Sequence, residues 1–430
     1  MSYFWKSKGY KGLLFFVVFL GLTPFAHAFE LPNEMTLKTN FRTWEIKPPN
    51  LDFLGGTTEK DDFLGMEVHL NPEDAEKTAG LVSKSSQEGV DLTKIKRYLE
   101  DKISPAINRD KTTVTLDMDA EGHITFEGTG LYGRKLDVDA AATMMKYALE
   151  NNLEFITLPL ITEAPEVIVK SDKLKAMGIV ELVSSGETDF SGSPNNRIHN
   201  INTGLSKFQG VVVKPGEEFS FGSTIGPVNG STGYKKELVI LGNKTVPEYG
   251  GGLCQVSTTA YRAMINAGYP ILDRRNHSYM VSYYKPLGLD ATFYEGGQDI
   301  RFLNDTPHHI VMQTFTQDNH TYYNFYGTKP NRTVQMIGPY YSNWRSAPST
   351  KTEYSSSMAP GEKKVLGHAV PGVNVTWYRY VTYNDEFVTD QKTGEKKNKT
   401  FLETIFSNYE ARPNYYMIGG PAPSEEAPPT

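Results

Sequence analysis

The spacing of hydrophobic residues changes several times along the chain and predicts a few helices among many short strands. The first third contains two stretches with helical periodicity and three with strand character, over residues 91–99, 137–149, 112–117, 124–127 and 153–160. Asp91 stands where the first of these helices would be capped. We therefore predict a small α+β domain over residues 66–168.

Hydrophobic signals are densest over residues 170–328. The segment 170–201 is rich in Ser, Gly and Asn and predicts a loop-like transition. After Cys254, apolar residues recur at near-helical spacing as far as Gly268. Strands are predicted around this helix over residues 211–221, 238–241, 277–284, 290–294, 300–303, 309–314 and 321–326. The pattern is that of an α+β fold, in which an antiparallel-sheet-rich domain carries a cysteine-bearing helix.

The C-terminal part predicts a smaller β structure. Residues 375–383 and 399–408 are typical of two strands around a charged loop, within a β-hairpin extension over residues 329–412. Residues 413–430 are rich in proline and predict a disordered tail.

The amino-terminal residues have the pattern of an export signal. Residues 1–28 combine a basic front, an apolar stretch too short to span a bilayer, and a small-x-small cleavage pattern at Ala26-His27-Ala28. We expect a cleaved signal peptide, no stable membrane anchor after cleavage, and a mature protein in the periplasm, the cell envelope or outside the cell. Residues 29–65 are broken by prolines and glycines and predict a linker or arm.

The net charge of the chain limits which binding partners are expected. The formal charge of −6 becomes −9 once the leader is removed, because the leader carries three lysines and no acidic residue. An acidic chain of this kind is not expected to bind nucleic acid.

The chain contains one cysteine, Cys254, which follows the sequence Gly-Gly-Gly-Leu. A thiol in the first turn of a helix feels the positive end of the helix dipole, which favours the thiolate. The glycines allow close approach of the backbone to a substrate and can offer N–H groups to an oxyanion. We predict that Cys254 is a nucleophile; the alternative is a buried cysteine that serves as a small apolar residue.

A thiolate nucleophile needs a base, and His277 is the candidate. It lies 23 residues after Cys254 at the start of a predicted strand, where a helix packed on a sheet can approach it. Papain-like peptidases have the same order, with cysteine on a helix and histidine on a strand. Asp290 is predicted to orient the imidazole, with Asp273 and Asn276 as alternatives.

The other polar residues suggest a substrate-binding site rather than a metal-binding site. His308, His309 and His320 have no metal-ligand spacing with Cys254, so we predict no metal site and no cofactor. Arg197, like the arginines next to His277, could bind a substrate carboxylate or simply face water.

Four segments resemble motifs of the VanW family. They are FSFGSTIGP at residues 219–227, GGGLCQVSTT at 250–259, RRNHS at 274–278 and LDAT at 289–292, in the order and at the spacing of that family. The similarity covers residues 170–328. Met280 departs from it, because the family often has proline after the histidine–serine pair. The α+β region before it is similar, more weakly, to peptidoglycan-binding domains that often precede VanW domains.

The resemblance implies work on the cell wall, since some VanW-domain proteins are regarded as L,D-transpeptidases that form 3-3 peptidoglycan cross-links. Cys254 would then accept the acyl group of a donor stem peptide, release terminal D-alanine and pass the acyl group to the amine of a second stem. The partners would be peptidoglycan stem peptides. Candidates for substrate binding are the residues Gly251, Gly252, Gln255, Ser257, Arg274, Ser278 and Arg197.

Two other functions are compatible with the sequence. The first is a papain-like cysteine peptidase that trims stem peptides. The second is a non-catalytic peptidoglycan-binding module in which Cys254 is buried.

Overall fold

The computed structural model describes residues 35–39, 43–46, 90–151, 153, 155–241, 244–389 and 395–421. Within these ranges the chain is mixed α+β, with many antiparallel strand pairs and few helices, as the sequence predicts. The predicted signal peptide and most of the predicted linker lie outside the described residues, as do residues 66–89 and 422–430. None of the helices in the described ranges is long and apolar enough to cross a membrane.

The first part of the chain packs helices beside small sheets. Its helices are α1 (Leu92–Tyr98), which continues through a π-helical turn (Leu99–Ile103) into α2 (Ser104–Ile107), and α3 (Val138–Glu150). Its strands are β1 (Met35–Lys38), β2 (Thr43–Ile46), β3 (Thr113–Met118), β4 (Ile124–Gly128), β5 (Gly133–Leu136), β6 (Phe155–Thr157), β7 (Leu160–Glu163) and β8 (Glu166–Val169). Asp91 and Asp137 accept hydrogen bonds from first-turn amides of α1 and α3, which confirms both predicted helices.

Two strands lie in the segment that was predicted to be an irregular arm. β1 pairs antiparallel with β2 and parallel with β6, so the prediction is wrong for these residues. Met35 and Leu37 are fully buried on one face of β1. The alternation is only four residues long and lies between prolines, which obscure it in the sequence. Pro159 likewise interrupts the strand that was predicted over 153–160 and separates β6 from β7.

The central part surrounds the helix that contains Cys254, which is α7. The elements are α4 (Asp172–Ala176), β9 (Glu181–Asp189), α5 (Asn195–Ser206), β10 (Val212–Val213), β11 (Glu218–Ser220), α6 (Phe221–Ile225), β12 (Lys236–Leu241), β13 (Lys244–Tyr249), α7 (Leu253–Asn266), β14 (Ile271–Asp273), β15 (Arg301–Leu303), β16 (Ile310–Gln317) and β17 (His320–Gly327). Helix α7 packs on β9 and β17 of a four-stranded sheet in the order β10-β16-β17-β9.

The segment 170–201 is not a loop, because it contains α4, β9 and the start of α5. Small residues on β9 face the helix backbone. A Cβ atom on Gly186 would lie 2.0 Å from the carbonyl oxygen of Thr259, and Ser184 Oγ donates to the carbonyl of Ala263 at 2.9 Å. The serine and glycine content that predicts a loop is therefore what lets a strand lie directly against a helix.

The strands predicted over 277–284 and 290–294 are wrong. These residues form loops, with a 3-10 turn at Ser282–Tyr284. Buried side chains of α7 hold the loop backbone in place of a strand partner. Ser257 Oγ donates to the carbonyl of Ala291 at 2.7 Å, and Arg262 Nη2 donates to the carbonyl of Tyr284 at 2.9 Å. These loops are thus fixed by contacts with a helix.

The C-terminal part forms two three-stranded sheets, in the orders β18-β21-β22 and β19-β23-β20. The strands are β18 (Arg332–Arg345), β19 (Lys351–Ser355), β20 (Lys363–Gly367), β21 (Gly372–Thr389), β22 (Lys396–Tyr409) and β23 (Tyr415–Gly419). The predicted hairpin is confirmed as β21 and β22. The predicted disorder is wrong for β23, the middle strand of its sheet, because only the residues after it are rich in proline.

The C-terminal strands share a core with α7. Val375, Trp377, Ile405 and Tyr409 are buried in the same apolar cluster as the inner face of this helix. Trp377 Nε1 also donates to the carbonyl of Leu287 at 2.8 Å, in the loop that follows the 3-10 turn. The extension therefore packs against the loops that carry the candidate site.

A buried carboxylate joins the first part of the chain to the central sheet. Glu187 on β9 accepts hydrogen bonds from Arg134 at 2.6 Å and 3.2 Å, and Arg109 lies 3.4 Å away. Burial would raise the pKa of Glu187, but the two guanidinium groups outweigh it and lower that pKa. Strand β9 is thus held by arginines from one side and by α7 from the other.

Replacing Gly186 by alanine is expected to destabilise the protein. The added Cβ would overlap the backbone of α7, and overpacking of this kind costs about 1–3 kcal/mol or more. The denaturation midpoint should fall in Gly186→Ala. It should not fall measurably in Ser185→Ala, which removes only a hydroxyl at the adjacent position. Equal midpoints for the two variants would contradict the direct contact of β9 with α7.

Candidate active site

Cys254 is the second residue of α7, and a tight glycine turn leads into it. Gly250 and Gly252 have φ angles of +78° and +120°, which residues with a side chain rarely adopt. A Cβ atom on Gly252 would lie 3.0 Å from the carbonyl oxygen of Arg197, and one on Gly251 would lie 2.8 Å from the backbone of β12. The glycines are therefore required by the close approach of α5 and β12 to this turn.

His277 and Asp290 lie beside Cys254. The Cys254 thiol donates to the backbone carbonyl of Phe293 at 3.8 Å, and the His277 imidazole is close enough to act on the sulfur. Nδ1 of His277 is 2.5 Å from Oδ2 of Asp290, which leaves Nε2 for the sulfur. The same carboxylate oxygen accepts from the backbone N–H of His277 at 2.8 Å. Cys254 has intermediate exposure, whereas His277 and Asp290 are 8% and 2% exposed, so the cysteine is the most exposed residue of this row.

These contacts shift the pKa values towards an ion pair. Burial would raise the pKa of the Cys254 thiol, but the charge and hydrogen bond of His277 lower it below its ordinary value. Burial would lower the pKa of His277, but the charge on the sulfur and the hydrogen bond to Asp290 raise it to about 9. At Asp290 burial acts to raise the pKa, and His277 and Arg274 outweigh it and hold that pKa well below its usual range. The imidazolium is the expected form of His277 at neutral pH, and its charge favours the thiolate form of Cys254.

The Asp290 carboxylate has further partners from distant parts of the chain. The Tyr409 hydroxyl, on β22, donates to Oδ1 of Asp290 and accepts the backbone N–H of Gly288 at 2.9 Å. Arg274 Nη2 lies 3.6 Å from the same Oδ1. The loop and β22 together thus supply the donors that this buried carboxylate requires.

Gln255 and Ser257 are fully buried and do not face the opening beside the sulfur. Gln255 Nε2 donates to the carbonyl of Asp189 at the end of β9, at 3.0 Å. Ser257 Oγ donates to the carbonyl of Ala291, next to Asp290, at 2.7 Å. Their side chains are therefore occupied in placing α7, which differs from the predicted role in substrate binding.

Arg274 also faces the interior. It donates to the carbonyls of Asp290 at 2.7 Å and Gly288 at 2.8 Å, and to Ser407 Oγ on β22 at 2.9 Å. Its guanidinium lies over the ring of Tyr261 at 5.2 Å. Arg274 thus links the Asp290 loop to β22. Its side chain is not in the position expected for substrate binding.

Three further residues were predicted for the site: Ser278 as a substrate contact, and Asp273 and Asn276 as alternatives to Asp290. Ser278 is exposed, and its carbonyl accepts from the backbone N–H of Glu410 at 2.6 Å. Asp273, an alternative to Asp290, is exposed at the end of β14. Asn276, the other alternative, donates to the carbonyls of His277 and Asn408 at 2.7 Å and 2.9 Å. Asp290 is the candidate whose carboxylate meets the imidazole.

Arg197 lies on the other side of the sulfur, in the first turn of α5. Its guanidinium is 5.1 Å from the centre of the Tyr283 ring and is hydrogen-bonded to Tyr284. The Tyr284 ring in turn stacks on His277, with centroids 4.9 Å apart. The positive charge of Arg197 is close enough to favour the thiolate form of Cys254. The structure thus brings the charge of Arg197 close to Cys254.

Three residues that support the site were not predicted. Tyr409, Tyr284 and Arg262 respectively bind the Asp290 carboxylate, stack on His277 and fix the loop after it. Tyr409 lies 119 residues beyond Asp290, and nothing in the local pattern of β22 distinguishes it from a core tyrosine. Arg262 carries a signal that could have been used, because a charged residue stands on the apolar face of a predicted helix.

A metal-binding role finds no support among the residues that the structure describes. They contain no group of three or more His, Cys, Asp or Glu side chains arranged to hold a metal ion. Instead, Cys254 lies beside His277, and His277 is bound by Asp290, which is the arrangement that activates a nucleophile by acid–base chemistry.

Comparison with solved structures gives little information about the fold. The crystal structure of HP0197-G5 is 18% identical over 20% of this chain and 97% of that one, with a TM-score of 0.10. A score this low supports no argument.

Sequence comparisons match the central part of the chain to a known family. The family model of the VanW like protein matches residues 196–326, which include Cys254, His277 and Asp290. The uncharacterized protein YoaR of Bacillus subtilis (strain 168) is 37% identical over 126 residues, which are 29% of this chain and 41% of that protein. The vancomycin B-type resistance protein VanW of Enterococcus faecalis (strain ATCC 700802 / V583) is 30% identical over 116 residues, which are 26% of this chain and 42% of that protein.

The chain thus spans less than half the length of the curated relatives that it matches. The family model covers the four motifs and the cysteine–histidine–aspartate row. These matches identify residues 196–326 as a domain similar to the VanW family.

Proposed function

We propose that this protein is an exported cysteine acyltransferase of the cell wall, an L,D-transpeptidase that forms 3-3 cross-links between peptidoglycan stem peptides. The observation that supports it is the Cys254 thiol beside the imidazole of His277, which Asp290 orients. Such an arrangement activates a nucleophile without any cofactor. Similarity to the VanW family suggests a cell-wall-associated protein, and the residue 1–28 pattern suggests export.

The first half-reaction uses the thiolate and the imidazolium. The Cys254 sulfur attacks the carbonyl carbon of the donor peptide bond, and negative charge develops on the carbonyl oxygen. When the C–N bond breaks, Nε2 of His277 gives its proton to the leaving amine. The products are a thioester on Cys254, a neutral imidazole and the released terminal amino acid, which is D-alanine in the proposed donor.

The oxyanion needs hydrogen-bond donors, and the start of α7 has them. The amides of Leu253 and Gln255 donate to the carbonyls of Gly250 and Gly252 at 3.0 Å and 2.9 Å. The first-turn amides of a helix lack intrahelical partners, so those of Gly252 and Cys254 are the donors that we assign to the oxyanion. Their position next to the sulfur suits the carbonyl that the thiolate attacks.

The second half-reaction reverses the proton transfer. The neutral His277 takes a proton from the side-chain amine of an acceptor stem, and the amine attacks the thioester carbonyl. The C–S bond breaks, and the thiolate–imidazolium pair returns. Water in place of the amine would give hydrolysis, which is the reaction of the alternative peptidase.

Cys254→Ala is expected to abolish acyl transfer. Removing the nucleophile of a catalytic set costs at least about 10³-fold in rate. Purified protein is incubated with a disaccharide tetrapeptide, with and without an acceptor amine, and the products are followed by mass spectrometry. The native protein should release D-alanine and form 3-3 dimers, whereas the variant should do neither.

The controls of this experiment separate the alternatives. D-alanine release by the native protein without any acceptor product would indicate a peptidase. If neither product forms and Cys254 of the native protein reacts only slowly with thiol reagents, the transpeptidase assignment is rejected in favour of a binding module.

His277→Gln is expected to shift the pH dependence of thiol alkylation upward. In the native protein the lowered pKa of Cys254 should make the iodoacetamide rate reach its plateau at a lower pH than for an ordinary cysteine. His277 is the largest cause that lowers this pKa, so its loss should move the midpoint to higher pH. His123→Gln, an exposed histidine, serves as the control. A midpoint that is the same in native protein and His277→Gln would refute the ion pair.

Asp290→Asn is expected to lower acyl transfer by about 10²–10⁴-fold at neutral pH. The amide carries no charge to support the imidazolium, so the pKa of His277 should fall from about 9 and the ion pair should be lost at a lower pH. Rates are measured against pH for this variant and for Asp273→Asn, the exposed neighbour. A comparable loss in both variants would argue against the assigned role of Asp290.

A further inference from the structure

Arg197 carries a positive charge that the protein leaves unneutralised beside the nucleophile. Several other buried or half-buried arginines have a carboxylate partner: Arg109 and Arg134 meet Glu187, Arg332 meets Asp305, and Arg379 meets Glu403. The buried Arg262 instead donates to backbone carbonyls. No carboxylate pairs with Arg197 among the described residues, and its Nε atom is buried without a hydrogen-bond partner. A guanidinium in this state has donors left for an incoming anion.

The surroundings of Arg197 fix its side chain without providing an anion. The Tyr283 ring lies 5.1 Å away, the Tyr284 side chain is hydrogen-bonded to it, and the backbone of Gly252 packs against its Cγ. Substitution of Gly252 would place a Cβ 3.0 Å from that Cγ, so the aliphatic part of the Arg197 side chain lies close to the turn before Cys254. The charge is close enough to the sulfur to act on the pKa of the thiol.

We propose that Arg197 binds the free carboxylate of the residue that leaves, so that the site acts on acyl donors that end one residue beyond the scissile bond. The inference rests on the proposed function, because it identifies which end of a peptide enters the site. A planar guanidinium matches a carboxylate through two parallel hydrogen bonds, whereas an internal peptide bond would offer it only a neutral carbonyl. The Cys254 thiolate does not depend mainly on the charge of Arg197, because the His277 imidazolium is its main partner.

The proposed step balances as an acyl transfer. The donor's C-terminal carboxylate rests on Arg197, the Cys254 sulfur forms a bond with the preceding carbonyl carbon, and the C–N bond breaks. His277 protonates the leaving nitrogen, and a free amino acid departs with its carboxylate. No oxidant, reductant or further reactant is involved.

Two alkylating agents test the subsite independently of any enzymatic activity. Iodoacetate and iodoacetamide form the same S–C bond with loss of iodide, but only iodoacetate carries a carboxylate next to the reacting carbon. The ratio of their rates at fixed pH cancels the thiolate fraction. We expect this ratio to be about tenfold higher in the native protein than in Arg197→Gln, as loss of one charge-assisted contact implies.

Matched variants separate local binding from a general effect of charge. Arg97→Gln removes the same charge from an exposed position on α1 and should leave the ratio unchanged. Arg197→Lys keeps the charge without the planar fork and should give an intermediate ratio. If Arg197→Gln slows both reagents equally, Arg197 only tunes the thiol and the inference is overturned; an equal fall of the ratio in Arg97→Gln would overturn it as well.

Paired donor peptides test the preference for a chain end. The same tetrapeptide with a C-terminal carboxylate or a carboxamide is offered to native protein and to Arg197→Gln. The native protein should prefer the carboxylate by about tenfold in kcat/KM, and the variant should lose most of that preference. No preference in the native protein would overturn the inference. Absence of transfer with both peptides would instead refute the proposed function, while the alkylation ratio would still decide whether Arg197 binds a carboxylate.

Discussion

The buried carboxylate of Asp290 is the group on which the candidate site depends. An isolated charge in a protein interior costs several kcal/mol, so its surroundings must supply donors. They come from the backbone and ring of His277, from the Tyr409 hydroxyl and from the nearby Arg274 guanidinium. These donors belong to the loop after β14 and to the distant strand β22. Satisfying one carboxylate therefore brings the imidazole to its place beside the sulfur.

The same constraint explains why the site extends beyond the segment that the family model matches. That segment ends at residue 326, whereas Tyr409 and Ser407 lie on β22. On the opposite side, Arg109 and Arg134 clamp Glu187 on β9, and α7 rests on the same strand through Gln255. The nucleophile is thus positioned by elements from all three parts of the chain.

Sequence patterns indicate the chemistry of this protein better than its architecture. Cys254, His277 and Asp290 could be predicted because the chemistry needs those residue types and the motifs carry them. β9 could not, because contact with α7 requires small polar residues that resemble a loop. Nor could the loops at 277–284 and 290–294, where side chains of α7 hold the backbone in place of a strand partner. Tyr409 gives no local signal, since its role depends on a contact 119 residues away.

A lone thiol with a lowered pKa has a consequence for redox chemistry. A partly exposed thiolate is the form of cysteine that oxidants attack first, giving a sulfenic acid. Many redox-active cysteines are protected by a second cysteine that forms a disulfide, but this chain contains only one. Recovery of the oxidised sulfur must therefore come from a thiol outside the protein. In the exported protein that we propose, the lifetime of the nucleophile would be set by the reductants available in its compartment.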